Sequence, residues 1–253
     1  MSFGAVADDY DRLRPPPPEA AIDWLVPEGC QIAVDVAAGT GLLSRALALK
    51  VPQVIAVEPD DRMADVLRAR SSDAAPGRIR VARGTGESIP LPDASADGVF
   101  ISSAWHWLDP ERAPAEIARV LRDGGRLGLI WTGRDRETDW IRELDAHVRD
   151  SARPGGRGDG QGGGRRREIV LPDGLFGNAQ SAAFTFTRTM AIDDVLGMLA
   201  TYSGVITADA QARADGLALA RAALERRFPG GGEIDVPMRS WCWRADRVAR
   251  APA

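Results

Sequence analysis

From Gln31 onward the chain alternates short apolar runs with stretches of helical periodicity, and this alternation restricts the fold more than any other feature. Gln31 to Val36, Gln53 to Val57, Arg78 to Val81, Gly98 to Ser102 and Arg126 to Trp131 read as buried strands. Between them Gly41 to Lys50, Asp61 to Arg70 and Pro110 to Arg122 read as helices. Met63, Val66 and Leu67 recur at helical spacing, and Gly124-Gly125 stops the last helix. Apolar runs of this length, interleaved with helices, require a parallel sheet covered on both faces, an α/β class.

Upstream, Pro15 to Pro18 fix φ and forbid a helix, so a short N-terminal segment is set off. Glu19 to Val26 then reads as a helix with Ile22, Leu25 and Val26 on one side. Ser151 to Arg167 is dominated by Gly and Arg, and a mobile loop is expected there. A tolerated surface insertion is its plain reading and a substrate lid its sharper one. Beyond it Ala183 to Met190 alternates like a strand, Ile192 to Tyr202 and Ala208 to Arg227 look helical, and Glu233 to Arg244 alternates again. At 253 residues this is expected to be one domain over 1–253. It divides into a cap (1–28), a core (29–150), the Gly/Arg loop (151–167) and a C-terminal half (168–253).

The net charge of -4 gives no basic footprint and argues against a nucleic-acid partner. Cys30 and Cys242 have neither CxxC spacing nor a His cluster nearby, so no metal site and no disulfide is expected. The first ten residues lack an apolar signal region, and no run approaches the roughly 20 apolar residues of a membrane span. A cytoplasmic protein without a membrane partner is expected; its oligomeric state is left open.

The most informative stretch is Val34-Asp35-Val36-Ala37-Ala38-Gly39-Thr40-Gly41, a buried strand that turns on small residues into a helix. Gly39 and Gly41 tolerate positive φ and let backbone approach a ligand closely. Thr40 reads as an N-cap, and the helix N-terminus suits an anionic group, a phosphate or a carboxylate. A tight connection with no ligand is the plainer alternative. The spacing is D-x-A-x-G-x-G, so the dinucleotide fingerprint G-x-G-x-x-G fails in its third glycine. Glu58 closes the second strand in Val57-Glu58-Pro59, beside the glycine turn, where an acid can accept from both hydroxyls of a ribose. Together they point to a nucleoside-bearing ligand.

Here the sequence resembles the class I S-adenosylmethionine (SAM)-dependent methyltransferases. Gly84-Thr85-Gly86-Glu87-Ser88-Ile89-Pro90-Leu91-Pro92-Asp93 looks like the family's segment after the third strand. Ser102-Ser103-Ala104-Trp105-His106-Trp107 is similar to its motif after the fourth, and Ile117 to Arg126 resembles the following helix and paired-glycine turn. Phe3 to Tyr10 with Arg14-Pro15, and Pro237 to Arg244, look like the cap and last strand of a subgroup that includes trans-aconitate methyltransferases. The resemblance implies a Rossmann-like, mostly parallel seven-stranded sheet with helices on both faces and a small N-terminal helical cap. It implies SAM as cofactor, leaving S-adenosylhomocysteine. Carried across, Asp35, Ala37, Ala38, Gly39, Thr40 and Gly41 would surround the amino-acid part, Glu58 and Pro59 the ribose, and Met63 the adenine. Thr85, Gly86, Glu87 and Ser103 would border the adenine edge, and Tyr10 and Arg14 would close over the methionine end. Ala37 and Thr85 depart from the family's usual glycine and acid.

Methyl transfer from a sulfonium is an in-line displacement driven largely by alignment, so no nucleophile motif is expected. A small-molecule acceptor is expected, with a carboxylate or hydroxyl oxygen favoured. His106 follows the fourth strand and is the candidate base if the acceptor needs one. Trp105, His106 and Trp107 are the candidate acceptor wall, with packing of the cap as the alternative for the two tryptophans. His147 is expected at the surface, Trp241 and Trp243 in the core, and Arg134 and Arg136 in a solvated turn beyond the fifth strand, with contact to an anionic acceptor as the sharper reading. Two alternatives stay open: a SAM-binding protein that transfers no methyl group, and a nicotinamide-dependent oxidoreductase.

Overall fold

The computed structural model describes residues 7–74, 77–151, 169, 171–202, 205 and 208–249. The expected Gly/Arg loop, apart from Ser151, lies outside them, as does the start of the N-terminal segment. The elements in order are α1 (Ala7–Leu13), α2 (Glu19–Leu25), β1 (Ile32–Val36), α3 (Leu42–Ala48), β2 (Gln53–Val57), α4 (Asp61–Ala74), β3 (Ile79–Ala82) and β4 (Ala96–Ser102). A 3₁₀ turn (Trp105–Trp107) follows, then α5 (Arg112–Val120), β5 (Leu121–Arg134), α6 (Asp139–Ser151), β6 (Phe176–Ala191), α7 (Ile192–Ala200), α8 (Ala210–Arg227) and β7 (Glu233–Arg247).

The seven strands form one sheet in the order β3-β2-β1-β4-β5-β7-β6. The first five are parallel, with Val36 opposite Val57, Val57 opposite Ala82 and Asp35 opposite Phe100. In a parallel sheet of this kind both faces are buried, which is why the strands read as continuous apolar runs. Val34, Val36, Val99, Ile101, Leu127 and Leu129 share one core cluster with Ile117 and Val120 of α5. Ala33, Val54, Phe100 and Ile130 share another with Ile22 and Leu25 of α2 and Leu43 and Leu47 of α3. Trp241 and Trp243 lie two apart on β7 and pack with the first cluster, as their spacing requires.

The chain packs as two compact units, each built from separated segments. One unit holds residues 16–132, 168–184 and 240–253, so far as these are described, and contains the glycine turn. The other gathers the described parts of 1–15, 133–167 and 185–239. Its core joins Leu13 of α1, Ile141, Leu144 and Val148 of α6, Val195 and Leu199 of α7, Leu224 of α8, and Val236 and Met238 of β7. The side chain of Asp209 accepts from Ala212 N at 2.8 Å and caps α8.

Two boundaries differ from expectation for local reasons. Helix α5 stops at Val120, because Leu121 swings to ψ 142° and pairs with Ala96. The glycine pair is then a bend inside β5, with Gly124 at φ 76°, and not a helix stop. Strand β6 starts seven residues before the apolar alternation, at Phe176, through exposed polar residues that give no periodic signal.

Phe100 is the largest fully buried side chain, and two glycines make its place. A Cβ on Gly98 would sit 2.6 Å from its ring and one on Gly128, directly across the ladder, 2.7 Å. The ring therefore lies over bare backbone on both strands. Gly128→Ala is expected to cost about 1–3 kcal/mol by overpacking, and Phe100→Ala about 3–5 kcal/mol by cavity formation. Urea unfolding of Gly128→Ala, Phe100→Leu and the double variant tests this. The double should lose less than the sum of the singles, and strict additivity would refute the packing account.

Candidate active site

The turns after β1, β2, β3 and β4 share the carboxyl edge of the parallel sheet, the edge where ligands bind in such folds. The turn after β1 is left-handed at three points: Ala37 (φ 54°), Gly39 (φ 59°) and Gly41 (φ 85°). The strain at Ala37 is unusual, since only glycine enters this region freely. Sequence pattern gave no hint of it. Gly41, not Thr40, occupies the N-cap of α3, and no side chain caps that helix. The Thr40 hydroxyl is instead buried, without a hydrogen-bond partner among the described residues. With seven residues, α3 is also too short to lend the turn much macrodipole field.

Glu58 closes β2 and is 7% exposed. One carboxylate oxygen accepts from Gly39 N at 2.8 Å and the other from Asp60 N at 2.9 Å. Each oxygen keeps a second lone pair. Ala38 N donates to Val57 O at 3.1 Å and Gly41 N to Ala38 O at 2.9 Å. The turn's amides at 38, 39 and 41 are therefore committed within the protein. Asp35 is fully buried in β1 and accepts from the Ser44 hydroxyl of α3 at 2.5 Å, while its Oδ1 has no partner among the described residues. Burial pushes Asp35 up to about 7; the Ser44 hydrogen bond opposes this and the nearby charge of Glu58 adds to it. Burial also raises Glu58, against its two backbone hydrogen bonds. The cradle is thus acidic, with two buried carboxylates and orphaned acceptors, and suits a ligand that brings cations and hydroxyl donors.

Met63 and Pro59 flank this turn in sequence, and Met63 is 5% exposed on α4. After β3, Thr85 and Ser88 pair backbone to backbone. Glu87 accepts from Asp109 N at 2.9 Å, so this acid braces the loop ahead of α5. Gly86 packs under Leu108, whose Cδ atoms a Cβ would meet at 2.8 Å. After β4, Ser103 is left-handed at φ 57° and leads into the 3₁₀ turn. Trp105 packs against the core, His106 is half-buried with its ring 4.8 Å from that of Trp107, and Trp107 is 64% exposed.

Tyr10 and Arg14 belong to the other unit. There Arg14 donates to the Thr201 hydroxyl at 2.9 Å and to Thr201 O at 3.1 Å, and its guanidinium lies 3.7 Å from the Tyr202 ring and 5.0 Å from that of Tyr10. Arg134 lies in β5 and not in a solvated turn, while Arg136 is half-buried in the turn that follows. Arg134 ends β5 with its side chain 4% exposed, and both arginines bond the buried Asp145 of α6. The sequence spacing of nine and eleven residues across a turn and a helix concealed this pairing. His147 is half-buried on α6 rather than at the surface. Both cysteines are free and buried. Among the described residues no group of His, Cys, Asp and Glu is arranged to hold a metal ion, and no helix is long and apolar enough to cross a membrane.

Two expectations test the cradle without any ligand. A Cβ at Gly41 would meet Leu67 Cγ at 2.7 Å, whereas one at Gly39 meets no protein atom within 4 Å. Gly39→Ala should therefore cost only the left-handed strain, about 1–2 kcal/mol, and Gly41→Ala clearly more; equal losses in chemical unfolding would refute this. Asp35 gives the second. Between 3.8 and about 7 the folded chain retains a proton on Asp35 that the unfolded chain has lost. Stability from this group therefore falls as pH rises through that window and levels off above it. Glu58 adds to the same slope, so the contrast with Asp35→Asn isolates Asp35. The variant should show a flatter melting temperature against pH, and an unchanged slope would rule the assignment out.

A family model described as a methyltransferase domain matches residues 34–129, the span from the acidic glycine turn to β5. An uncharacterised methyltransferase of Mycobacterium tuberculosis is 40% identical over 213 residues, covering 84% of this chain and 81% of its own. An uncharacterised methyltransferase-like protein of Schizosaccharomyces pombe is 30% identical over 218 residues, covering 80% and 77%. Among solved structures, a candidate type II methyltransferase from Anaeromyxobacter dehalogenans superposes with a TM-score of 0.69 at 25% identity, covering 94% of this chain and 99% of that one. With its fold, its glycine turn and these relatives, the chain belongs to the class I SAM-dependent methyltransferases, whose cofactor is S-adenosylmethionine.

Proposed function

We propose that this protein transfers a methyl group from SAM to a small-molecule acceptor, at a carboxylate or hydroxyl oxygen, by in-line displacement. The observation that carries the reading is the pair of buried carboxylates, Asp35 and Glu58, at the glycine turn. A dinucleotide pyrophosphate would set further negative charge against them, whereas SAM brings a sulfonium, an ammonium and ribose hydroxyls. The net charge of -4 supports a small molecule over a nucleic acid as acceptor.

On this reading Glu58 accepts from the ribose with the lone pairs that Gly39 and Asp60 leave, and Pro59 and Met63 lie toward the adenine with Thr85, Gly86, Glu87 and Ser103. Asp35, Ala37, Ala38, Gly39, Thr40 and Gly41 hold the amino-acid part. When bound, SAM supplies an electrophilic methyl group on a positively charged sulfur. The protein's share is alignment of the acceptor and exclusion of water, which suffices for such a displacement. Trp105, His106 and Trp107 form the acceptor wall. A carboxylate acceptor arrives ionised and needs no base, while a hydroxyl acceptor would pass its proton to His106.

Titration calorimetry with SAM, S-adenosylhomocysteine and NAD tests this reading. SAM and its product should bind and NAD should not; the reverse pattern ends the proposal. Glu58→Gln, which keeps shape but replaces one acceptor oxygen by a donor, should weaken SAM binding about tenfold or more. Affinity for SAM should also rise as pH increases through about 7, because Asp35 ionises there and the ionised form attracts the cation. S-adenosylhomocysteine lacks the sulfonium charge and should show a shallower rise.

A further inference from the structure

The unit that carries Arg14 also contains a buried basic cluster with no role in the reading above. Arg134, the last residue of β5, has its side chain 4% exposed. One of its amino groups donates to Asp145, and Arg136 donates to the other oxygen of the same carboxylate. The Nε and Nη1 of Arg134 are buried and meet no acceptor among the described residues. Burying guanidinium donors without partners is costly, so such groups mark a place where an acceptor belongs. Asp145 neutralises one of the two arginines and leaves the other uncompensated. Arg14 adds a third guanidinium, set against the neutral groups of Thr201, Tyr10 and Tyr202.

Tyr202 organises the cluster. Its ring lies 3.7 Å from the Arg14 guanidinium and 4.7 Å from that of Arg134, so the aromatic face holds both cations. Gly133 precedes Arg134, and a Cβ there would touch only the Tyr202 oxygen, at 3.5 Å. The backbone beside Arg134 is therefore bare of side chain. Arg136, at 22% exposed, gives the cluster its side toward solvent.

We propose that Arg134, with Arg136 and Tyr202, is a carboxylate-binding site that recognises an organic acid. A carboxylate fits because the planar guanidinium presents paired donors that match two oxygens, and because a net positive cluster repels cationic ligands.

Thermal shift with the purified protein, in the presence of S-adenosylhomocysteine, tests the site with benzoate and succinate as probes. Benzamide, succinamide and sodium chloride at matched ionic strength are the controls. Both carboxylates should raise the melting temperature with dose, and the amides and chloride should not. Arg136→Gln should weaken the apparent affinity for the carboxylates about tenfold and leave S-adenosylhomocysteine binding unchanged. Arg134→Lys keeps the charge but loses the planar fork and should do the same; if it fails to fold, Arg136→Gln alone decides. Carboxylates that stabilise no more than their amides overturn the proposal. So do variants that weaken S-adenosylhomocysteine as much as they weaken carboxylates, since the cluster would then serve the cofactor's own carboxylate.

Discussion

A single carboxylate, Glu58, joins two turns that are nineteen residues apart in sequence. It takes the amide of Gly39 on one oxygen and that of Asp60 on the other. Hydrogen bonds to an ionised group contribute roughly 1.5–3 kcal/mol each, and here they offset only part of the desolvation that burial imposes. Gly39 can offer its amide to Glu58 only because its backbone is left-handed, at φ 59°. The position of the acid, the conformation of the glycine and the separation of β1 from β2 are one constraint seen from three sides.

That constraint has a cost, and the structure confines it. Strained backbone outside glycine occurs at Ala37 and Ser103, both in turns that leave the carboxyl ends of strands, and at Ala94 and Asn178 elsewhere among the described residues. The two orphaned polar atoms nearest the glycine turn, Asp35 Oδ1 and Thr40 Oγ1, are in or just after β1. Strain and unsatisfied groups of this sort persist only where surrounding packing over-determines them. Here the packing is apolar and tight immediately below, with Val34, Val36, Val57 and Val99 fully buried and Phe100 closed against bare glycine backbone.

What the sequence made legible follows the range of the interactions. The strands β1, β2 and β4 were readable because a parallel strand is apolar on both faces, and the glycine turn because positive φ selects glycine. The left-handed Ala37 was not readable, since alanine seldom adopts that region and nothing local marks it. The α5–β5 boundary was misread because Leu121 and Arg122 suit helix and strand alike, and pairing with Ala96 decides between them. Arg134 looked like a solvated residue because its partner, Asp145, is brought near only by the turn and helix that follow. The commitment of the amides of Ala38, Gly39 and Gly41 to Val57, Glu58 and Ala38 was hidden for a related reason, since it can be seen only once register is known. The second unit was invisible as such, because three separated segments build its core.

The polar cluster at the glycine turn is acidic, and the proposed reaction gives a reason for that. Transfer of a methyl group from a sulfonium to an anionic oxygen joins a cation and an anion into neutral products, so charge disappears on the way to the transition state. Such a reaction is held back by any surrounding that stabilises the separated charges, and water does this best. A protein gains rate by binding each partner through charge remote from the reacting atoms. Asp35 and Glu58 do this for a cationic cofactor if they hold its ammonium and ribose and leave the sulfur unpaired. Binding energy then comes from groups that do not change, while the atoms that react are kept poorly solvated, and this is the condition under which alignment alone is enough to carry the chemistry.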